Sequence, residues 1–275
     1  MTEEEYIYLK KKIRELTKYE LDNYGSKQMM RRLEGFIART QLADVAQYCR
    51  LLEKDPQEVE KLQDFLTINV SEFFRDLPYF KELRDKILPV LLKNSLQLNI
   101  WSAGCSNGAE AYSVAIMLDQ LSPYRTHRIL ATDIDKNILL QAAAGGPYRG
   151  PDVRNAMPEV MTKYFTRTGD SFTVIDSIRK KVAFRQQDLT RDPFESNFDL
   201  IICRNVVIYF TDEAKKKLRR RFIDALKPGG ILFIGATETM LDASDTGFVR
   251  LSPCFYRKAA DSLVKSKPTS TMTHL

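Results

Sequence analysis

A pair of glycines and one aspartate, each placed after a short apolar run, are the residues of this sequence whose types and spacing could do chemistry. Leu98-Asn99-Ile100-Trp101 leads into Ser102-Ala103-Gly104-Cys105-Ser106-Asn107-Gly108, and an amphipathic pattern follows through Leu118. Read as strand, glycine loop and helix, this places Gly104 and Gly108 where backbone can approach a ligand closely, and the helix N-terminus favours an anionic group such as a carboxylate or phosphate. A second apolar run, Ile129-Leu130-Ala131-Thr132, ends at Asp133, a position from which an acidic side chain accepts hydrogen bonds from ribose hydroxyls. The GxxxG spacing is weak by itself, but with Asp133 it points to an adenosine-type ligand.

Other chemistries lack their parts. There are two histidines, His127 and His274, and the cysteines Cys49, Cys105, Cys203 and Cys254 contain no CxxC pair, so neither a metal site nor a disulfide framework is expected. The only Tyr-x-x-x-Lys pairs, Tyr6 to Lys10 and Tyr8 to Lys12, precede the glycine loop, which argues against a short-chain nicotinamide dehydrogenase, and no Gly-Lys-Ser/Thr phosphate loop is present. With 275 residues, 44% hydrophobic and 28% charged, the composition is that of an ordinary globular protein. Apolar runs such as Ile231 to Ala236 fall far short of the roughly 18 residues a membrane span needs, and the start Thr2-Glu3-Glu4-Glu5 is no signal peptide, so a cytosolic protein is expected. A net charge of +6 fits an acidic partner.

The elements that must position these residues divide the chain. Through about residue 95 the pattern is helical: Ile7, Ile13, Leu16 and Leu21, then Leu33, Phe36 and Ile37, then Val45, Tyr48, Leu51 and Leu52, and a helix opened by Asp55-Pro56 with Val59, Leu62, Phe65 and Leu66 on one face, ending near Thr67. From Leu96 strands and helices alternate, which predicts an α/β doubly wound parallel sheet. Phe198 to Cys203 and Ile231 to Ile234 read as later strands, with Glu213 to Leu226 a charged helix between them. Phe172-Thr173-Val174-Ile175 and Val182-Ala183-Phe184, bridged by Asp176 to Lys181, read as a hairpin or small antiparallel insert. The expected organisation is a helical domain over 1–90, a sheet domain over 91–260 with an insert over about 165–187, and a disordered tail over 261–275.

The Leu226-Lys227-Pro228-Gly229-Gly230 turn before a late apolar strand, with Cys254-Phe255-Tyr256 as a final strand, resembles the Rossmann-like layout of S-adenosylmethionine methyltransferases. Where nucleic-acid amino-methyltransferases carry Asn/Asp-Pro-Pro-Tyr, this chain has Cys203-Arg204-Asn205-Val206-Val207-Ile208-Tyr209-Phe210. That stretch, with Thr67-Ile68-Asn69-Val70-Ser71-Glu72-Phe73-Phe74-Arg75, Trp101 to Ser106 and Ala131-Thr132-Asp133-Ile134-Asp135, resembles the chemotaxis receptor methyltransferases, the CheR family, over roughly residues 5 to 258. The resemblance implies transfer of a methyl group from S-adenosylmethionine to glutamate side chains on chemoreceptor cytoplasmic helices, giving methyl esters and S-adenosylhomocysteine. It sets Asn69, Ser71 and Arg75 against the cofactor, Gly104 in the glycine loop and Glu110 at the cofactor's amino group. It gives Asp133 the ribose, and lines the adenine and methionine portions with Asp188, Leu189, Arg204 and Asn205. Arg75 and Tyr209 stand nearest the reacting carboxylate and methyl group. Tyr209 either donates a hydrogen bond or walls the site.

The chain departs from the family pattern in three places. Gly108-Ala109-Glu110-Ala111-Tyr112-Ser113 stands where Gly-Glu-Glu-Pro-Tyr-Ser is common, Ser71 stands for Thr, and Asp188 for Asn. Lys27, Arg31, Arg32 and Arg39, with Glu34 the only acid between them, read as a basic helix face, which in the family implies docking to acidic receptor helices. The run Lys215 to Arg221 reads as a solvated face without the interleaved aromatics of nucleic-acid binding. The loop Thr166 to Ser171 is short, so no dependence on a receptor pentapeptide tether is expected. A monomer recruited to membrane receptor arrays is the expected state, without insertion into the membrane. A cofactor-binding regulator without turnover and a small-molecule carboxyl methyltransferase are the alternatives.

Overall fold

The computed structural model describes residues 1–67, 69–238 and 247–259; the expected tail over 261–275 lies outside them. The chain opens with four helices, α1 (Glu3–Thr17), α2 (Ser26–Ile37), α3 (Val45–Lys54) and α4 (Pro56–Thr67). A capping box between Thr2 and Glu5 starts α1, and the Asp44 carboxylate accepts from Gln47 N at 2.7 Å to start α3, each satisfying an N–H that has no partner within its helix. Tyr6, Leu9 and Ile13 from α1, Met29, Leu33 and Ile37 from α2, Tyr48, Cys49 and Leu52 from α3, and Leu62 and Leu66 from α4 bury one common core. The face expected on α1 is rotated: Ile7 and Leu16 are exposed, because the stripe that keeps the i, i+3, i+7 spacing runs through Tyr6, Leu9 and Ile13.

Two short helices, α5 (Leu77–Glu82) and α6 (Leu88–Asn94), flank a π turn over Leu83–Ile87. Phe80, Leu83, Ile87, Leu88 and Leu91 bury against the sheet, together with Phe73 and Phe74. The cores therefore part near residue 68 rather than near 90. The expected boundary erred because a helical period says nothing about which neighbour a helix packs on.

The strands are β1 (Asn99–Ala103), β2 (Arg128–Asp133), β3 (Phe165–Thr168), β4 (Ser171–Val174), β5 (Val182–Gln186), β6 (Phe198–Cys203), β7 (Leu226–Ile234), β8 (Phe248–Ser252) and β9 (Phe255–Lys258). Seven form one sheet in the order β5-β2-β1-β6-β7-β9-β8, parallel except for β9, which runs antiparallel to both neighbours. Alternation along each strand feeds two cores. Ile100, Leu200, Ile202 and Phe233 face one side, and Trp101, Ile201, Cys203 and Leu232 the other. Both sides are covered, so the inner parallel strands β1, β2 and β6 are buried over nearly their whole length. The insert is an antiparallel hairpin, but its partners differ from those expected. Phe165–Thr168 pairs with Ser171–Val174, whereas Val182–Gln186 joins the main sheet as the parallel neighbour of β2, where Val182 pairs with Ile129 and adds to the core.

The remaining helices are α7 (Ala109–Leu121), α8 (Lys136–Ala144), α9 (Gly150–Val153), α10 (Pro158–Tyr164), α11 (Asp176–Arg179) and α12 (Asp212–Ala225). Every residue of α7 from Ala109 to Leu118 is buried, as befits a central helix, so its polar members Glu110 and Ser113 must be satisfied inside the protein.

Asp135 joins the helical domain to the sheet. Its Oδ1 accepts from Asn137 N at 2.8 Å and Ile138 N at 3.1 Å, capping α8, while Oδ2 accepts from Thr67 Oγ1 at 2.9 Å and Asn69 Nδ2 at 2.6 Å. Replacing Asp135 by Ala is expected to cost about 1–3 kcal/mol, a lost cap plus two lost side-chain bonds, in urea unfolding. A loss under about 0.5 kcal/mol would show the junction to be held elsewhere.

Candidate active site

Strand order reverses between β1 and β6, so their carboxyl ends and that of β2 open on a crevice where such sheets bind ligands. The segment joining α4 to α5 crosses it and is pinned residue by residue. Ser71 O accepts from Asn107 Nδ2 at 3.3 Å, Glu72 pairs with Arg154 at 2.6 Å, Phe73 N donates to Asp152 O at 2.8 Å, and Phe74 N donates to Ser113 Oγ at 3.0 Å. Phe74 and Asp76 both lie in the left-handed region, at φ of 53° and 59°. Non-glycine residues hold that conformation only when the surroundings impose it.

Arg204, directly after β6, imposes much of it. Its guanidinium is buried, with its centre 5.2 Å from the Phe80 ring and 4.8 Å from the Phe233 ring. Nη2 donates to Asp76 Oδ2 at 2.5 Å and to Arg75 O at 3.1 Å, and Nη1 reaches Glu110 Oε2 at 3.4 Å. Glu110 also accepts from Ser102 Oγ at 2.8 Å. Asp133 accepts from Ser106 N at 2.8 Å and Asp135 N at 3.1 Å.

Burial pushes the carboxyls of Glu110 and Asp133 above the ordinary carboxylate range, against the opposing pull of Arg204 on Glu110 and of backbone N–H groups on Asp133. The folded chain then binds protons that the unfolded chain has released. Their contribution to stability is full below the ordinary carboxylate pKa and is lost as pH rises through the folded values.

The helical domain supplies the opposite wall. Gly25 N donates to Tyr209 O at 3.0 Å, Thr211 N to Asn23 O at 2.8 Å, and the Tyr24 and Phe210 rings meet edge-on at 5.1 Å. Arg32 turns inward, its Nη2 donating to Phe65 O at 2.7 Å and its guanidinium 5.9 Å from the Tyr209 ring. The enclosed cleft is lined from the helical domain, from the crossing segment and from the ends of β1, β2 and β6.

Residues 69–252 match the family model described as "CheR methyltransferase, SAM binding domain", and residues 4–67 match "CheR methyltransferase, all-alpha domain". The chain belongs to the CheR methyltransferase family. It is 36% identical over 257 residues to a chemotaxis protein methyltransferase of Listeria innocua, covering 93% of this chain and 98% of that one, and equally identical over the same shares to one of Listeria monocytogenes. Chemotaxis protein methyltransferase 1 of Pseudomonas aeruginosa is 36% identical over 197 residues, 68% of this chain and 72% of its own.

The protein is thus an S-adenosylmethionine-dependent methyltransferase of the CheR family with a Rossmann-like sheet domain, and its cleft fits that cofactor chemically. Glu110 and Asp133 offer buried carboxylate oxygens, and Ser106 Oγ and Gln187 Oε1, both on lining residues, are buried without a protein partner. Gly104, at φ 80°, forms part of the lining. A Cβ there would sit 2.4 Å from Val206 Cγ2. Gly108, at φ 82°, serves packing instead, since a Cβ would press on Ala142 and the Phe184 ring at 3.0 and 3.1 Å.

The cleft brings together Ser71, Arg75, Gly104, Glu110, Asp133, Leu189, Arg204, Asn205 and Tyr209 of the residues this CheR-family sequence singled out. Asn69 and Asp188 are not on its lining. The Asn69 amide nitrogen donates to Asp135 Oδ2 while its Oδ1 is buried without a protein partner, and Asp188 Oδ1 is turned onto Thr190, accepting from its N and Oγ1 at 2.7 Å each. Of the basic residues expected on one face, Lys27, Arg31 and Arg39 are exposed, whereas Arg32 belongs to the cleft. Ala109 is fully buried, leaving Glu110 as the first-turn carboxylate of α7. Sequence reasoning missed Tyr19, Tyr24 and Gln187 on the lining. It also missed Glu238, which is off the lining and accepts from the backbone of Asn205 and Val207. Among the described residues no group of His, Cys, Asp and Glu could hold a metal ion.

Arg204→Met, which keeps the apolar stem between the two rings and deletes the charge, leaves Glu110 without its cation and is expected to cost about 3–5 kcal/mol in denaturant unfolding. Adding Glu110→Gln should recover part of that loss. A single-variant loss below about 1 kcal/mol would show that the ion pairs do not support the site.

Proposed function

We propose that this enzyme methylates glutamate side chains on the cytoplasmic helices of chemoreceptors, forming methyl esters and releasing S-adenosylhomocysteine. The carrying observation is that Arg75 and Tyr209 line one cleft with Glu110 and Asp133 and that no histidine stands among the lining residues. A glutamate carboxylate, with a pKa near 4.3, is ionised at neutral pH and needs no general base. The names of the relatives, chemotaxis protein methyltransferases, support a methyl acceptor that serves chemotaxis.

S-Adenosylmethionine, when bound, supplies an electrophilic sulfonium methyl. Asp133 holds the ribose hydroxyls and Glu110 the amino group, with Ser71, Gly104, Leu189, Arg204 and Asn205 completing the walls. Asn69 acts through Asp135, by fixing the start of the crossing segment. Arg75, whose Nη1 donates to Val70 O at 3.0 Å, orients the incoming carboxylate. Holding it too tightly would preserve charge that the transition state loses, so Arg75 positions more than it stabilises. Tyr209, with its main chain tied to Gly25, borders the reacting groups. In-line placement of this kind supplies about 7–11 kcal/mol of a barrier.

Lys27, Arg31 and Arg39, exposed on or just beyond α2, form the surface that meets acidic receptor helices. Among the described residues no helix is long and apolar enough to cross a membrane. The enzyme works in the cytoplasm as a monomer at receptor arrays.

With methyl-labelled S-adenosylmethionine and receptor cytoplasmic fragments, label should appear on receptor glutamates and leave as methanol in mild base. Binding of S-adenosylhomocysteine by calorimetry without any label transfer would point instead to a regulator without turnover, and label on a small carboxylic acid to a different acceptor. Arg75→Ala should lower receptor methylation by about a hundredfold, the cost of a misplaced reactant. Near wild-type activity would remove Arg75 from the chemistry. The pair Lys27→Ala and Arg31→Ala should slow methylation at low ionic strength and flatten its salt dependence, and an unchanged salt profile would eliminate this docking surface.

A further inference from the structure

Glu238 lies just beyond β7 and is 5% exposed. Its Oε2 accepts from Gly235 N at 2.7 Å and Asn205 N at 3.0 Å, and its Oε1 accepts from Val207 N at 3.0 Å. Its own N–H donates to Gly235 O at 3.0 Å, closing a turn that aims the carboxylate back at the sheet. A Cβ on Gly235 would lie 2.7 Å from Oε2, so the glycine leaves the carboxylate its room. These partners are backbone N–H groups, and two of the three, on Asn205 and Val207, belong to the segment running from Arg204 to Tyr209.

That segment needs a grip. Asn205 sits at φ 59°, a left-handed conformation that asparagine adopts more readily than other non-glycine residues, and the bond from its N to Glu238 fixes it there. Residues Val207–Tyr209 form a single 3₁₀ turn, and at its far end Tyr209 O accepts from Gly25 N. Glu238 thus holds the near half of the segment while the helical domain holds the far half. Burial raises the Glu238 carboxyl above its ordinary range and the backbone donors pull it back.

We propose that Glu238 is a positioning residue for methyl transfer, fixing the loop after β6 in the shape that presents Asn205 and Tyr209 to the cleft. The proposal rests on the reading of Tyr209 under Proposed function. Glu238→Gln keeps the side-chain volume but turns one acceptor into a donor facing backbone N–H groups.

In receptor methylation assays the Glu238→Gln enzyme should lose about 10- to 100-fold in kcat with less than a threefold change in KM for the receptor fragment, as expected of a misplaced rather than a missing group. Tyr209→Phe should also lower kcat alone, yet cost little more in the Glu238→Gln background, because residues acting through one another are non-additive. Glu238→Asp, which retains two acceptor oxygens, should regain part of the rate and replaces Glu238→Gln in the cycle if the latter does not fold, as read from its thermal unfolding. Losses that simply multiply, a kcat within twofold of wild type, or a silent Tyr209→Phe would overturn the proposal. Failure of the wild-type protein to methylate receptor glutamates would overturn the functional reading instead.

Discussion

The buried guanidinium of Arg204 is the interaction on which the rest of the site depends. From just beyond β6 it meets the segment crossing from the helical domain through Asp76 and Arg75 O, the first turn of α7 through Glu110, and the faces of Phe80 and Phe233. An arginine suits this place because its planar fork addresses several acceptors at once and its flat faces tolerate aromatic neighbours. Alone, the desolvated cation would be costly; between two carboxylates and two rings it becomes the fixed point around which the cleft is assembled.

The α7 helix, buried from Ala109 to Leu118, sits beside that point, and its buried Glu110 and Ser113 both tie into the cleft's surroundings. Ser113 donates to Ala109 O at 2.7 Å and accepts from Phe74 N, so a serine in the core holds the strained approach to Arg75. Glu110 and Asp133 are carried as buried carboxylates whose proton affinity is raised by desolvation. Their contribution to stability falls as pH rises through the folded values.

The cleft is also a junction between two cores. The helical domain packs its own interior, then closes over the carboxyl ends of the strands through Asp135 on one side and the Gly25–Tyr209 backbone bond on the other. Arg32, Tyr19 and Tyr24 reach the cleft only because of that closure.

Much of this was legible in the sequence. Apolar runs ending at Gly104 and Asp133 located the strands and the ligand side of the sheet, because period-two burial, glycine's positive φ and acidic strand ends are local properties. The residues from Arg204 to Tyr209 were placed by the resemblance carried in their own motif. Partners far along the chain were not legible: the turning of Asn69 toward Asp135, the folding of Asp188 onto Thr190 in place of the cleft, the inward rotation of Arg32 out of a seemingly uniform basic face, and the hold of Glu238 on the 205–209 loop. A side chain chooses between solvent, a neighbour and a ligand by what the fold brings within about 3 Å of it, the reach of a hydrogen bond, and pairs such as Asp76 with Arg204 meet only after the sheet has closed. The sequence by itself determined most of the elements, the order of the motifs along the chain and the class of ligand; the tertiary structure alone decided which of the charged residues line the cleft, because burial and pairing are properties of the assembled fold.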